Sequence, residues 1–423
     1  MQNNERVKVL LISANTETIT LPVLPLGLAC VAEATRRAGH DALIVNLMFS
    51  PDRNAAIRHA IESFEPEVLG ISVRNIDDQV MQPPNFLLPA ARDVVAECRR
   101  HTRAPIVVGG AGFSIFPESA LEFLGADAGV WGEGEAVFPA LAERLARGEA
   151  AADLPGVVLP GRKPGAPAYT HNLDELPLPA PELFVRPEVR VPVQTRRGCP
   201  MNCSYCSTRA IEGGQIRRRS PEAVVAWLKQ LRETGARNFA FVDNTFNLPP
   251  SYAKQLCRRI TEAGLDLDFW CIVYPRNVDT ELARLMREAG CTEVSLGFES
   301  GCDAIMRSLN KRFTAEEVRA VSRAFADEGI AQRGFLLLGG PGETRETVEE
   351  SLAFVDSLKL QGLSLTAGIR IYPNTTLARR AVEDGIVAAG DNLLYPRFYM
   401  RPELREWLPE RLRSFRAARP WLG

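Results

Sequence analysis

Short apolar runs alternate with amphipathic helical segments along two stretches of this chain, and that alternation constrains the fold more than any other feature. Val7–Ile12 is apolar except for Lys8, the pattern of a parallel strand buried on both faces. A helical pattern over Pro25–Arg37 follows and is closed by Gly39. Ala42–Val45, Val68–Val73, Pro105–Val108 and Ala128–Trp131 read as four more strands. Arg53–Phe64, Phe86–His101, Glu118–Phe123 and Glu135–Ala146 read as helices between or after them. Five strands in this alternation predict an α/β, Rossmann-like, doubly wound domain over residues 1–150. Nine of the 30 prolines then fall within 151–192, and both periodicities disappear. Residues 151–190 are therefore expected to be a Pro-rich surface linker with room for one hairpin.

Alternation resumes at Val191. The strand candidates are Val193–Arg196, Phe239–Val242, Asp268–Val273, Glu293–Phe298, Gly334–Leu338 and Leu365–Ile371. Ser220-Pro221 is good helix-start chemistry, and Thr314 to Glu317 spells a capping box. Six βα units are too few for an eight-fold barrel. Residues 191–380 are expected to form an open, partial (β/α)6 barrel. Residues 381–423 form a short, partly helical tail. Its Tyr395, Phe398, Tyr399 and Trp407 make it a candidate cap for the barrel mouth.

Composition narrows the function classes. The formal net charge is −2 with both signs interspersed, so bulk charge gives no case for a nucleic-acid partner. No apolar stretch approaches the roughly 18–20 residues of a membrane span. The polar start, Met1 to Arg6, has no signal-peptide pattern, and the expected location is the cytoplasm. Nine cysteines are too few and too irregular for a disulfide scaffold. Cys30, Cys98, Cys257, Cys271, Cys291 and Cys302 lie in or beside apolar patterns and read as small buried hydrophobes. Four histidines (His40, His59, His101 and His171) make a histidine-based metal site a poor expectation.

The remaining cysteines are clustered in Arg197-Gly-Cys199-Pro-Met-Asn-Cys203-Ser-Tyr-Cys206-Ser-Thr208. Gly198 and Pro200 disfavour a helix, so the thiols sit on a loop that can wrap a ligand. Three thiolates can bind three irons of a cubane cluster and leave the fourth iron open. A structural zinc would need a fourth ligand, and no Cys or His lies nearby.

This Cys-x3-Cys-x2-Cys segment, with Tyr205 before its last cysteine, resembles the signature of the radical S-adenosylmethionine (SAM) superfamily. The resemblance implies a [4Fe–4S] cluster on Cys199, Cys203 and Cys206, with SAM chelating the open iron. It also implies SAM contacts at the strand ends. Asp243 and Asn244 would meet the amino group, although the common Gly-Gly-Glu is absent there. Glu299 and Ser300 would lie at the ribose. Gly339, in the glycine-containing fifth strand, and Tyr372, after the sixth, would lie beside the adenine. Read locally, Asp243, Asn244 and Glu299 could equally be turn or helix-start residues.

Residues 7–145 resemble the cobalamin-binding domains fused ahead of many radical SAM barrels. The matching pieces are Leu24-Pro25-Leu-Gly27, Gly109-Gly110-Ala-Gly112 and Gly132-Glu-Gly134, with Ser72 ending the third strand. The glycines are expected to let backbone approach the corrin or its tail. The Asp-x-His-x-x-Gly motif of histidine-ligating cobalamin proteins is absent, so the resemblance implies histidine-off cobalamin. Arg74, whose guanidinium offers no lone pair, would approach the lower face.

Together these features imply a methyltransferase-type (class B) enzyme. It would C-methylate an unactivated carbon of a small-molecule or lipid-like intermediate through methylcobalamin and a 5′-deoxyadenosyl radical. A flavodoxin- or ferredoxin-type donor would supply electrons. No protein general base is required. A cobalamin-dependent rearrangement or cyclisation shares the same motifs. A cobalamin or redox sensor would need no SAM pocket.

Overall fold

A computed structural model describes residues 6–18, 22–184, 186 and 189–420. Met1–Glu5 and residues 185, 187 and 188 of the Pro-rich segment lie outside the described residues. The chain divides into two compact units. The first comprises Met1–Asp78, Asn85–Phe184 and Ala210–Gly213, and the second comprises Gln79–Pro84, Val185–Arg209 and Gly214–Gly423.

The first unit is built on strands β1 (Lys8–Ser13), β2 (Asp41–Asn46), β3 (Val68–Ser72), β4 (Ile106–Gly109), β5 (Ala128–Val130) and β6 (Val157–Val158). Their order is β2-β1-β3-β4-β5-β6. The first five are parallel, and β6 runs antiparallel to β5. Helices Leu26–Arg37 and Gly134–Ala146 pack Leu28, Ala32, Phe138 and Leu141 onto Val9, Leu11 and Val107. Each of the larger side chains contributes roughly 1.5–3 kcal/mol by leaving water. Gly70 of β3 is small because Leu11 and Phe138 fill the space a side chain would need. The strand order reverses between β1 and β3, and the carboxyl ends of strands at such a point are where open α/β sheets bind ligands.

The Pro-rich segment differs from the linker expected of it. It forms no hairpin of its own among the described residues. Val157–Val158 instead extends the sheet, and Leu173, Leu176 and Phe184 are buried. Two residues are too few to carry a periodicity, so the sequence pattern could not show β6.

The second unit holds β7 (Val191–Val193), a ribbon of β8 (Arg196–Arg197) and β9 (Arg217–Arg218), then β10 (Asn238–Phe241), β11 (Asp268–Val273), β12 (Cys291–Glu299), β13 (Ala331–Leu338) and β14 (Gly362–Ala367). β7, β10, β11, β12, β13 and β14 pair in that order, all parallel. The sheet stays open, with β7 and β14 at its edges. Burial alternates along β11 and β13. Gln332, Leu336 and Leu338 are buried, while Arg333, Phe335 and Leu337 on the other face are only half-buried. The caps form as expected. Ser220 accepts from Ala223 N at 3.2 Å, and the Thr314–Glu317 box is complete. Each is worth about 1 kcal/mol.

The tail packs on both β14 and the C-terminal end of β13. Helix Trp407–Ala417 lies along β14, where Arg416 Nη2 donates to Leu365 O at 3.0 Å. Arg411 and Arg419 pair with Glu349 and Asp356 on helix Arg345–Asp356. Tyr399 is buried and donates to Asp384, Trp407 lies under the Arg345 guanidinium, and Tyr395 is exposed. Ile369–Arg370 (β15) pairs with Phe398–Tyr399 (β16), which brings the tail backbone to the C-terminal end of β13. There Arg401 N donates to Gly339 O at 2.9 Å. Among the described residues, no helix is long and apolar enough to cross a membrane.

Candidate functional site

The cysteines lie on the loop between β8 and β9, entered through Gly198 at φ +83°. Cys199 is buried, and Cys203 and Cys206 are half-buried. Outside segments grip the loop through main-chain atoms. Ser204 N donates to Leu309 O at 3.0 Å, Leu377 N donates to Ser204 O at 2.8 Å, and the Asn310 amide donates to Asn202 O. The Cys206 thiol donates to Thr208 Oγ1 at 3.2 Å, and Thr208 Oγ1 donates to Asn244 Oδ1 at 3.4 Å. As a thiolate, Cys206 would accept from Thr208 instead. Burial raises the Cys203 thiol, and Lys311 is the main opposing charge. Each cysteine of a cubane takes its own iron, so the three need not converge as around one ion. Among the described residues, no three metal-ligating side chains do converge in that way. Three thiols on one loop are the donor set that a cubane with one open iron takes.

Asp243 is not available where it was expected. It is fully buried. Its Oδ1 accepts from Thr195 N at 2.8 Å and Arg196 N at 3.1 Å, and its Oδ2 accepts from Thr195 Oγ1 at 2.7 Å. Burial pushes the carboxyl up to about 6, against the pull of these donors. Its task is to anchor the β7–β8 connection that launches the cysteine loop. Its neighbour Asn244 stands at the Cys206–Thr208 chain.

Glu299 ends β12 in the left-handed region at φ +65°, a conformation that costs a non-glycine residue about 1–2 kcal/mol. Its Oε1 accepts from the Tyr205 hydroxyl at 2.9 Å and from Lys311 Nζ at 3.2 Å. Lys311 Nζ also donates to Gly297 O at 3.1 Å and lies 5.4 Å from the Tyr205 ring centre. Burial alone would lower the Lys311 ammonium. Its neighbours, Tyr205 and Glu299 first, outweigh that and hold it well above its usual value. Tyr205 and Glu299 are thus brought together, although they are 94 residues apart. Ser300 is not brought to them. It is fully buried, shares a hydrogen bond with Ser351 Oγ at 2.9 Å and accepts from Cys302 N, so it anchors the turn.

Gly339 has φ +95°, and the space beside it belongs to Met400, whose sulfur would lie 2.5 Å from an added Cβ. By lacking a side chain, the glycine makes room for the tail. Its N–H and that of Gly340 both donate to Glu343 Oε2. Tyr372 is half-buried beneath the Arg370 guanidinium, 5.0 Å away.

In the first unit, Ser72 ends β3 at the topological switch, half-buried. Arg74 follows it. Its side chain is exposed, yet desolvation by surrounding protein lowers its pKa. The glycines are explained differently from expectation. A Cβ at Gly110 would meet Val73 O at 2.7 Å, one at Gly112 would meet Arg74 O at 2.9 Å, and one at Gly132 would meet Pro167 at 2.9 Å. At Gly134 the obstacle is Val31. The chain's own close packing requires these four, whereas Gly109 has ordinary clearance, 3.5 Å from Val130 O, and an added Cβ at Gly27 would meet nothing.

Residues 193–355 match the Radical SAM superfamily, and residues 12–142 match the B12 binding domain. The chain belongs to the B12-binding radical SAM enzymes. Several of the proteins it resembles are methyltransferases. An uncharacterized methyltransferase of Pyrococcus horikoshii is 28% identical over 90% of this enzyme and 84% of its own length. The tryptophan 2-C-methyltransferase of Streptomyces laurentii is 27% identical over 88% of this enzyme and 74% of its own length. The structure of the radical SAM methyltransferase TsrM from Kitasatospora setae, with tryptophan and a SAM analogue bound, superposes with a TM-score of 0.85. It shares 23% identity and covers 97% of this radical SAM enzyme and 88% of that chain.

Two residues of the site were missed from sequence. Lys311 follows a helix end, where a cation usually faces solvent. Glu343 could have been noticed, because an acid three residues after Gly340 can reach back to a free N–H as in a capping box. Glu343 is almost fully buried, and its Oε1 has no hydrogen-bond partner. Burial pushes its carboxyl up to about 7 from an ordinary 4.5. The folded state therefore holds a proton that the unfolded state releases, and this contribution to stability is lost as pH rises from about 4.5 through 7. The whole effect is about 3 kcal/mol. Glu343→Gln keeps the acceptor oxygen and removes the charge. Its unfolding midpoint should stay level between pH 5 and 8 while the wild type declines. Parallel profiles would show that Glu343 is ionised at little cost.

Proposed function

We propose that this radical SAM enzyme C-methylates an unactivated carbon of a small-molecule or lipid-like substrate, using a [4Fe–4S] cluster, SAM and histidine-off cobalamin. The observation that carries the reading is the assembly around the cysteine loop. Three cysteines, Tyr205, Asn244 and Glu299 gather at the C-terminal ends of a parallel half-barrel, the face where such sheets bind ligands. The same chain carries a B12-type domain. TsrM binds cobalamin and a [4Fe–4S] cluster on a closely similar fold.

When bound, these cofactors supply the methyl group and the radical chemistry. The chain's own residues hold and orient. Cys199, Cys203 and Cys206 hold the cluster, and Thr208 donates to the Cys206 sulfur. Asn244, rather than the sealed Asp243, receives the SAM amino group. Glu299 accepts from the ribose hydroxyls. The Gly339–Gly340 turn, braced by Glu343, and Tyr372 border the adenine. Ser72 and Arg74 face the corrin. Arg74 has no lone pair for cobalt. His40 accepts from Val7 N, and His101 lies against Glu97, so neither is placed for a lower ligand. Electrons come from a flavodoxin- or ferredoxin-type donor.

The test uses protein reconstituted without oxygen and supplied with hydroxocobalamin, SAM deuterated in its methyl group and a strong reductant. Reductant-dependent 5′-deoxyadenosine and S-adenosylhomocysteine are expected, with label on the cobalamin. If neither nucleoside forms above a Cys206→Ala background, the reading fails. 5′-Deoxyadenosine alone, with no label transferred, would favour a rearrangement.

A further inference from the structure

The Lys311 side chain is buried, at 6% exposure, that of Glu299 is largely covered, at 14%, and the two form an ion pair at 3.2 Å. Glu299 makes that pair from a left-handed backbone that it would not adopt unaided. Gly297 completes the geometry twice. Its carbonyl takes a second Lys311 hydrogen bond, and its missing side chain leaves room for Glu299 Oε1, which would lie 3.0 Å from an added Cβ. Lys311 itself is fixed by the turn that grips the cysteine loop. Leu309 O accepts from Ser204 N, and Asn310, at φ +57°, reaches Asn202 O with its side chain. One turn therefore touches the cysteine loop through residues 309 and 310 and the β12 carboxylate through residue 311.

We propose that Lys311 is a positioning residue: it holds Glu299 in its left-handed conformation, facing Tyr205, and so fixes the ribose end of the SAM site relative to the cysteine loop. The inference rests on the assignment of Glu299 to the ribose. In this role Lys311 acts through Glu299. A methionine at 311 keeps the length of the side chain and the main-chain grip on the loop, and loses only the ammonium. An arginine retains the charge.

The experiment measures S-adenosylhomocysteine affinity, which requires no turnover, on holoenzyme reconstituted to full iron content. Lys311→Met and Glu299→Gln should each weaken binding about ten-fold, the scale of a hydrogen bond to a charged group. The double variant should be no weaker than either single variant. Lys311→Arg should recover most of the loss, and all variants should hold wild-type iron. Wild-type affinity in Lys311→Met overturns the proposal, as do losses that multiply in the double variant. Loss of iron in Lys311→Met also overturns it, in favour of a loop-building role. Weak binding by Lys311→Met beside normal binding by Glu299→Gln overturns it as well, and places the fault in the ribose assignment.

Discussion

Replacing Cys206 with alanine is expected to abolish cluster incorporation while leaving the fold intact. The loop is held by main-chain bonds at Ser204 and by the Asn310 side chain, none of which uses the thiol. Cys206 is only half-buried, so its loss removes little packing, and the cost to stability should be below about 1 kcal/mol. With two thiolates left, two irons of a cubane would lack protein ligands. Thr208 would also lose its sulfur partner. Iron and sulfide content after reconstitution, measured beside thermal unfolding, is the check. Cys257→Ala is the contrast. That thiol is fully buried on helix Pro250–Glu262, and its removal should lower stability while leaving iron content unchanged. Wild-type iron in Cys206→Ala would remove this residue from the ligand set.

Asp243→Ala should be the most destabilising single change in the second unit, at about 3–5 kcal/mol. It strands the N–H groups of Thr195 and Arg196 and the Thr195 hydroxyl in a region sealed from water. It also removes an anion beside the buried Arg196. Asp243→Asn separates the two roles this carboxylate could have. The amide oxygen can still accept from both N–H groups, so an anchor survives the change. A ligand for an ammonium group would not survive it. Denaturant midpoints should therefore fall steeply for alanine and little for asparagine, with S-adenosylhomocysteine affinity near wild type in the latter. A large loss of affinity in a stable Asp243→Asn protein would return Asp243 to the SAM site.

The architecture was legible because buried parallel strands are continuous apolar runs, and eleven were read near their observed positions. The cysteine loop was legible because spacing, Gly198 and Pro200 all point to one geometry. Side-chain tasks were less so. A carboxylate at a strand end shows its charge in the sequence, but not that Thr195, 48 residues earlier, arrives to occupy it. A glycine shows the absence of a side chain, but not the neighbour that takes its place. At Gly339 that neighbour is Met400, and at Gly110 it is the Val73 carbonyl. Lys311 carried no periodic signal at all, because its burial arises from contacts with the distant Tyr205 and Glu299.

An unclosed barrel leaves β14 with one unpaired side, and the helix Trp407–Ala417 lies along that strand. A bare strand edge is a template on which other chains can add. Arg416 occupies the Leu365 carbonyl, and arginine–carboxylate pairs pin the helix in place. The tail is therefore a guard against polymerisation as much as a piece of the fold. Protein that precipitates while its cluster remains intact would be reporting on this helix, not on the chemistry at the cysteine loop.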